Sequence, residues 1–213
     1  MGVSAREGEL TLRGLVMTPR ILVFAGSIRT GAFSVRTADV AQKTLALHGA
    51  EVTRISLADY PLPIMDQDLE KEKGVPDSAM TLGAMIAAHD GILIASPEYN
   101  ASIPPLLKNT IDWVSRIRKD AAGNRFAPFA GKVAGLCSSS DGNFAGIRGL
   151  YHLRAVLMNC QVEVITPQCS VARAGDAFDD QGNLKDERTQ NMMDRVCTTL
   201  IERARLLSAR TEY

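Results

Sequence analysis

Ile21-Leu22-Val23-Phe24-Ala25-Gly26-Ser27-Ile28-Arg29-Thr30-Gly31-Ala32-Phe33-Ser34 opens as an apolar run and breaks at Gly26-Ser27. A loop of small residues carrying one arginine follows, and an amphipathic segment begins near Ser34. Strand, loop and helix in that order aim backbone N–H groups and a positive helix end at an anion. Ser27, Thr30 and Ser34 add hydroxyl donors, and Arg29 adds a forked cation suited to phosphate. The stretch reads as a phosphate cradle. The same residues also suit an ordinary βα turn with a capped helix, so the rest of the chain must decide.

Working outward, strand one covers about 20–26 and the first helix about 34–48, with Val35, Ala38 and Leu45 as a partial core stripe. Gly49 stops that helix. His48 sits in its last turn, where the dipole favours a cation. Strand two runs over about 51–57. Pro61 and Pro63 exclude a helix or central strand after it. The charge run Asp66–Lys73 reads as solvated, and Asp66, Asp68 and Glu70 lack the glycine and glutamate of a calcium loop. A second helix is expected over about 77–89.

Gly91–Ala95 is nearly all apolar, the mark of a strand buried on both faces of a parallel sheet. The mostly polar loop Ser96–Ile103 leads to Pro104-Pro105, which starts a helix. Leu107, Ile111, Val114 and Ile117 recur there at helical spacing, with Trp113 and Arg116 off the stripe. A basic loop or insertion covers 118–131, and strand four covers Val133–Cys137. The loop Ser138–Gly146, a helix over about 146–158, strand five over Val162–Ile165 and a last helix over about 186–209 complete the order. Five βα units predict an α/β fold, a parallel sheet with helices on both faces.

The chain has 213 residues, 46% of them hydrophobic, which suits one domain with a substantial core. Residues 1–18 lack clear periodicity and read as an N-terminal extension, leaving 19–213 as the domain. Twenty-four basic residues match 24 acidic ones, giving no footprint for nucleic acid or a membrane surface. Cys137, Cys160, Cys169 and Cys197 form no CxxC pair and read as reduced thiols, with Cys137 in a buried strand. No apolar run approaches the ~18 residues of a membrane span, and no signal-peptide core opens the chain, so a cytoplasmic location is expected.

In an open α/β sheet, ligands bind beyond the carboxyl ends of the strands near a switch in strand order. Loops 27–33, 97–103 and 138–146 meet that rule. Neither GxGxxG, nor GxxxxGK[ST], nor GxSxG is present, which argues against a dinucleotide grip, a nucleotide hydrolase and a serine hydrolase. Ser-x-Arg suits a terminal phosphate monoester instead. His152 is helical, and packing or hydrogen bonding is its simpler role.

Gly26-Ser27-Ile28-Arg29 with Ser34, the block Ser96–Pro104, and Leu107-Lys108-Asn109-Thr110-Ile111-Asp112-Trp113 together resemble the NADPH-dependent FMN reductase family. Gly146-Ile147-Arg148 and His152-Leu153-Arg154 are similar to its fourth-helix pattern. Relatives in that family include bacterial quinone, chromate and azo-dye reductases. The resemblance spans about residues 19–167. It implies a flavodoxin-like three-layer sandwich, strand order 2-1-3-4-5, with non-covalent FMN. By position, Ser27, Arg29 and Ser34 would hold the FMN phosphate. Pro97, Glu98, Tyr99 and Asn100 would flank the isoalloxazine and ribityl chain, with Ser102 nearby. Ser138, Ser139, Ser140, Asp141, Gly142 and Phe144 would form the third wall. Ala32-Phe33-Ser34 departs from the family's Ser-x-Asn, and an anionic Asp141 would disfavour the reduced anionic flavin if it pointed inward.

The resemblance implies an NAD(P)H oxidoreductase, with NADPH or NADH as co-substrate. Hydride would pass by way of FMN to a quinone, flavin, azo compound or metal oxyanion, with ping-pong kinetics. Chemistry carried by the cofactor needs no protein nucleophile, which matches the lack of a triad, metal cluster or carboxylate dyad. Two rivals stand beside this reading: a flavodoxin-like electron carrier that docks to a protein partner, and a non-catalytic module that kept the fold. Zero net charge weakens the carrier. The family also implies a homodimer or homotetramer, with Trp113, Arg116, Phe126 and Phe129 as interface candidates.

Overall fold

The computed structural model describes residues 17–208, so nearly all of the expected extension lies outside the described residues. Five strands form one sheet: β1 Arg20–Ala25, β2 Glu51–Ile55, β3 Gly91–Ser96, β4 Val133–Ser139 and β5 Glu163–Val171. All neighbours pair in parallel, in the order β2-β1-β3-β4-β5. Ile21 of β1 lies opposite Val52 of β2 on one side and Gly91 of β3 on the other. The chain leaves β1 toward one edge and returns to β3 beside it, so the β1 and β3 loops diverge and open a crevice.

Among the described residues there are six α-helices, all but the short second one packed on the core: α1 Phe33–Leu47, α2 Gln67–Lys73, α3 Asp77–Ala88, α4 Pro105–Ser115, α5 Ile147–Asn159 and α6 Glu187–Ser208. Alternate residues of each strand face opposite layers. Ile21, Val23, Leu93, Ala95 and Cys137 pack with Ala38 and Leu45 of α1 and Val196 and Leu200 of α6. Leu22, Phe24, Ile92, Ile94 and Leu136 pack with Leu82 of α3, Leu107 and Ile111 of α4 and Leu153 of α5. The result is the three-layer, flavodoxin-like arrangement expected from the sequence. The four cysteines are free thiols, and Cys137 is buried in β4.

Several local readings need correction. Strand β4 continues through Ser138 and Ser139, both buried, so they are sheet residues rather than loop residues. Strand β5 continues to Val171 and includes Pro167. As an edge strand paired only with β4 it tolerates a residue with no N–H to donate. The charge run forms a short helix, α2. Asp66 caps it, accepting the Asp68 N–H at 2.8 Å, and Glu70 accepts from Arg116 Nε at 2.9 Å.

Trp113 and Phe129 are buried in the chain's own core, which removes both as interface candidates. The Trp113 indole N–H donates to the Pro63 carbonyl at 2.8 Å. Asn109 donates to the same carbonyl at 2.8 Å and accepts the Met65 N–H at 2.7 Å. The proline loop is thereby strapped over α4 and covers the face of Trp113 that helical spacing leaves off the core stripe.

Candidate functional site

The crevice opens beyond the carboxyl ends of β1, β3 and β4. On the β1 side the chain turns tightly, with the Gly26 N–H donating to the Ala95 carbonyl at 2.8 Å. A Cβ on Gly26 would stand 3.1 Å from Leu107 Cδ2 and 3.3 Å from Pro97 Cδ, so only glycine fits without displacement. Ser27 Oγ accepts the Arg29 N–H at 3.3 Å, shaping the loop. Arg29 is exposed and spends one guanidinium N–H on the Thr30 carbonyl at 3.2 Å.

Helix α1 then begins without a side-chain cap, because Ala32 occupies the N-cap position. The Val35 N–H donates to the Ala32 carbonyl at 3.0 Å, the amides before it lie ahead of the first intrahelical acceptor, and the positive end of the helix faces the loop. Ser34, in the first turn, is 1% exposed, and its hydroxyl has no hydrogen-bond partner. A buried hydroxyl without a partner costs about 1–3 kcal/mol. At an uncapped helix start, beside an exposed arginine, an anionic group of phosphate type would satisfy it.

The β3 side is a rigid turn. Tyr99 and Ser102 exchange backbone hydrogen bonds at 3.1 and 3.0 Å. Asn100 and Ala101 between them have φ of 50° and 62°. Two central residues at positive φ make a type I′ turn, a conformation an alanine adopts only under strain. The turn is held from outside. Glu98 Oε1 accepts from Nε and Nη2 of Arg148, and its Oε2 accepts the Gly149 N–H at 3.0 Å. Ser102 Oγ and His152 Nδ1 share a hydrogen bond of 2.9 Å. Burial raises the Glu98 carboxyl pKa, but the Arg148 hydrogen bond, the Gly149 N–H and the Arg148 charge together carry it below the usual carboxylate range. Glu98 is therefore a structural anion, turned toward α5.

On the β4 side, Ser138 Oγ donates to the Ala145 carbonyl at 2.7 Å and lies 2.9 Å from Ser170 Oγ. It braces the loop from beneath and does not line it. Ser139 is also buried, and its hydroxyl has no partner. Ser140 Oγ accepts the Gly142 N–H at 3.2 Å. Asp141 is exposed, and its Oδ1 accepts the Gly175 N–H at 2.9 Å, tying its carboxylate to the segment after β5. Phe144 is 65% exposed, with the Arg148 guanidinium carbon 4.9 Å from its ring centroid. Gly146, at φ +81°, is the N-cap of α5.

The structure thus brings Ser27, Arg29 and Ser34 to one end of the crevice, and Pro97, Tyr99, Asn100, Ser102, Gly142 and Phe144 to loops on its other sides. Glu98 and Asp141 are committed to protein partners, and Ser138 lies beneath the loop. Sequence reasoning missed the organising role of Arg148. A signal was present: a basic residue in the first turn of a helix opposes the dipole, so it needs a carboxylate supplied from elsewhere.

Residues 19–176 match the family model for NADPH-dependent FMN reductase. The chain belongs to the NADPH-dependent FMN reductase family. It is 32% identical over 183 residues to an NAD(P)H-dependent FMN reductase of Pseudomonas aeruginosa, covering 85% of this chain and 92% of that one. It is 38% identical over 140 residues to a quinone reductase of Escherichia coli, covering 65% of this chain and 69% of the relative. Among solved structures, a flavoenzyme NAD(P)H:acceptor oxidoreductase from Paracoccus denitrificans superposes with a TM-score of 0.71 at 24% identity. That comparison covers 88% of this chain and 97% of the other, and bears on the fold. Among the described residues, no helix is long and apolar enough to cross a membrane.

Proposed function

We propose that the chain is an FMN-dependent NAD(P)H oxidoreductase that reduces small-molecule acceptors, quinones foremost, with free flavin, azo compounds and metal oxyanions as further candidates. The observation that carries this is the partnerless Ser34 hydroxyl at the uncapped start of α1, in a family that uses FMN. Ser27, Arg29 and Ser34 hold the phosphate. Pro97, Tyr99, Asn100 and Ser102 border the ring system on one side, and Gly142 and Phe144 on the other. When bound, FMN supplies the two-electron chemistry between nicotinamide and acceptor. The protein's share is to orient: the strained Tyr99–Ser102 turn and the Glu98 clamp hold the border of the site in place, and the Glu98 charge is paired with Arg148.

The test is to load the purified protein with FMN, record its flavin absorbance, and titrate with NADH and NADPH. Oxidation of either nucleotide by the protein alone, with parallel-line initial-rate patterns against a quinone, supports the reading. A protein that binds FMN yet oxidises nucleotide only with a second protein is an electron carrier, and one that binds no FMN is neither. Arg29→Ala should weaken FMN binding by about 1.5–3 kcal/mol, the scale of a charged hydrogen bond. We further propose a cytoplasmic homodimer or homotetramer. With Trp113 and Phe129 buried, Phe126 remains the aromatic interface candidate, and Arg116 is already paired with Glu70. A monomer in light scattering would refute the assembly.

A further inference from the structure

We infer that a cavity at the opposite end of the sheet from the crevice, lined by Arg118, Cys160 and Gln161, is a binding site for a small organic monoanion with an apolar body. The site is separate from the flavin crevice and does not depend on the reductase reading.

The cavity has a volume of about 290 Å³, at the lower edge of the ligand-pocket range of about 300–1,000 Å³. It lies between the end of α4, the 118–131 segment and the turn from α5 into β5, beside the amino ends of β4 and β5. Its floor is apolar, with Ile117, Pro128 and Phe129 all buried. A Cβ on Gly83 of α3 would stand 2.5 Å from Ile117 Cδ1 and 3.0 Å from Pro128 Cγ, so the floor is pressed onto α3 where a bare glycine makes room for it. Its rim is polar. Arg118, Asn159 and Gln161 line it, and their side chains have no hydrogen-bond or ion-pair partner among the described residues. Arg118 is the only charged lining residue. Burial keeps the Cys160 thiol protonated by pushing its pKa up. The carboxylate nearest in effect, Asp112, is already paired with Lys108 at 2.8 Å.

The walls are fixed by the chain itself. Asp120 Oδ1 accepts the Ala122 and Asn124 N–H groups at 2.9 and 2.8 Å, and the Phe126 N–H returns to the Arg118 carbonyl at 2.9 Å. Lys132 Nζ ties the end of the segment to the Ala87 and His89 carbonyls at 2.8 and 2.7 Å. Gln161 closes α5 at φ 67°, with its N–H on the Met158 carbonyl and the Val162 N–H on the Leu157 carbonyl. Glycine is the usual residue in that turn, and here a glutamine bears the strain and sets a side chain beside the rim. A forked cation unopposed by acid, carboxamides beside it and an apolar floor suit a carboxylate carried on a hydrocarbon or aromatic body.

The test uses the full chain saturated with FMN and takes phenylbutyrate as the probe. Cys160 is the reporter: Cys137, Cys169 and Cys197 are buried, so it should be the one thiol that iodoacetamide modifies in the native protein in alkaline buffer. Phenylbutyrate should slow that reaction saturably, whereas phenylbutanol or acetate at the same concentration should not. Calorimetric affinity for phenylbutyrate should fall about tenfold in Arg118→Gln, the low end for a charged hydrogen bond because Arg118 is exposed, with FMN affinity unchanged. Gln161→Gly should weaken the probe while raising the melting temperature, which a purely structural role for the side chain would not do. Equal protection by phenylbutanol or acetate, competition between phenylbutyrate and FMN, unchanged affinity in Arg118→Gln, or a Cys160 that does not react in the native protein overturns the inference and leaves the reductase reading intact. A chain that takes up no FMN overturns the reductase reading, and the same protection then still reports on this cavity.

Discussion

Replacing Ser34 by alanine should push stability and cofactor affinity in opposite directions. In the structure the Ser34 hydroxyl is buried with no hydrogen-bond partner among the described residues. Removing it deletes an unsatisfied polar group worth about 1–3 kcal/mol and leaves a good helix former in the first turn of α1. At roughly 2–4 °C per kcal/mol for a domain of this size, the apo protein should melt about 2–12 °C higher. The holo protein loses a hydrogen bond to a charged group, about 1.5–3 kcal/mol, so the FMN Kd should rise roughly ten- to hundredfold. The assay is a circular-dichroism melt of protein stripped of FMN, paired with quenching of FMN fluorescence on titration. An apo melting temperature that falls, or an FMN Kd that does not move, would refute the assignment of this hydroxyl to the phosphate.

Further outcomes follow from the same contacts. Gly146→Ala places a side chain at φ +81° with its Cβ 3.0 Å from Ser138 Cβ; strain and overpacking should cost about 2–4 kcal/mol in urea unfolding. The Glu98 carboxyl pKa is lowered in the folded state from its ordinary 4.5, so its contribution is fully present above that value and is lost as pH falls through the folded value. Wild-type stability should therefore drop more steeply than that of Glu98→Gln as pH falls below about 4.5, by thermal melts across that range. Trp113→Phe deletes the N–H that reaches the Pro63 carbonyl; it should cost about 1–3 kcal/mol and speed proteolysis of the 60–66 loop.

How much of this was legible in the sequence depended on whether a residue's role was set by neighbours along the chain or by distant ones. The apolar runs Ile21–Ala25 and Gly91–Ala95 announce buried parallel strands, because a strand covered on both faces has no polar side to show. The residues of the proposed cradle are local too, since Gly26, Ser27 and Ser34 lie on one strand-turn-helix unit. Ser138 and Ser139 misled because serines read as loop. Ser138 belongs in the sheet because the Ala145 carbonyl and Ser170 satisfy it, and those partners arrive only with the fold. Trp113 lay off the α4 stripe because the surface that buries it is the proline loop, some 50 residues earlier in the chain. Glu98 looked like a ligand contact until Arg148 stood beside it.

The close approach at Gly26 has a mechanical meaning. The first loop butts against Pro97 and Leu107 there, and its amide is tied to Ala95. The start of α1 and the Tyr99–Ser102 turn are thus welded to one seam and cannot drift apart independently. Under the proposed function the crevice would act as a gauge of set length, fixing the span between an anionic terminus and a planar head.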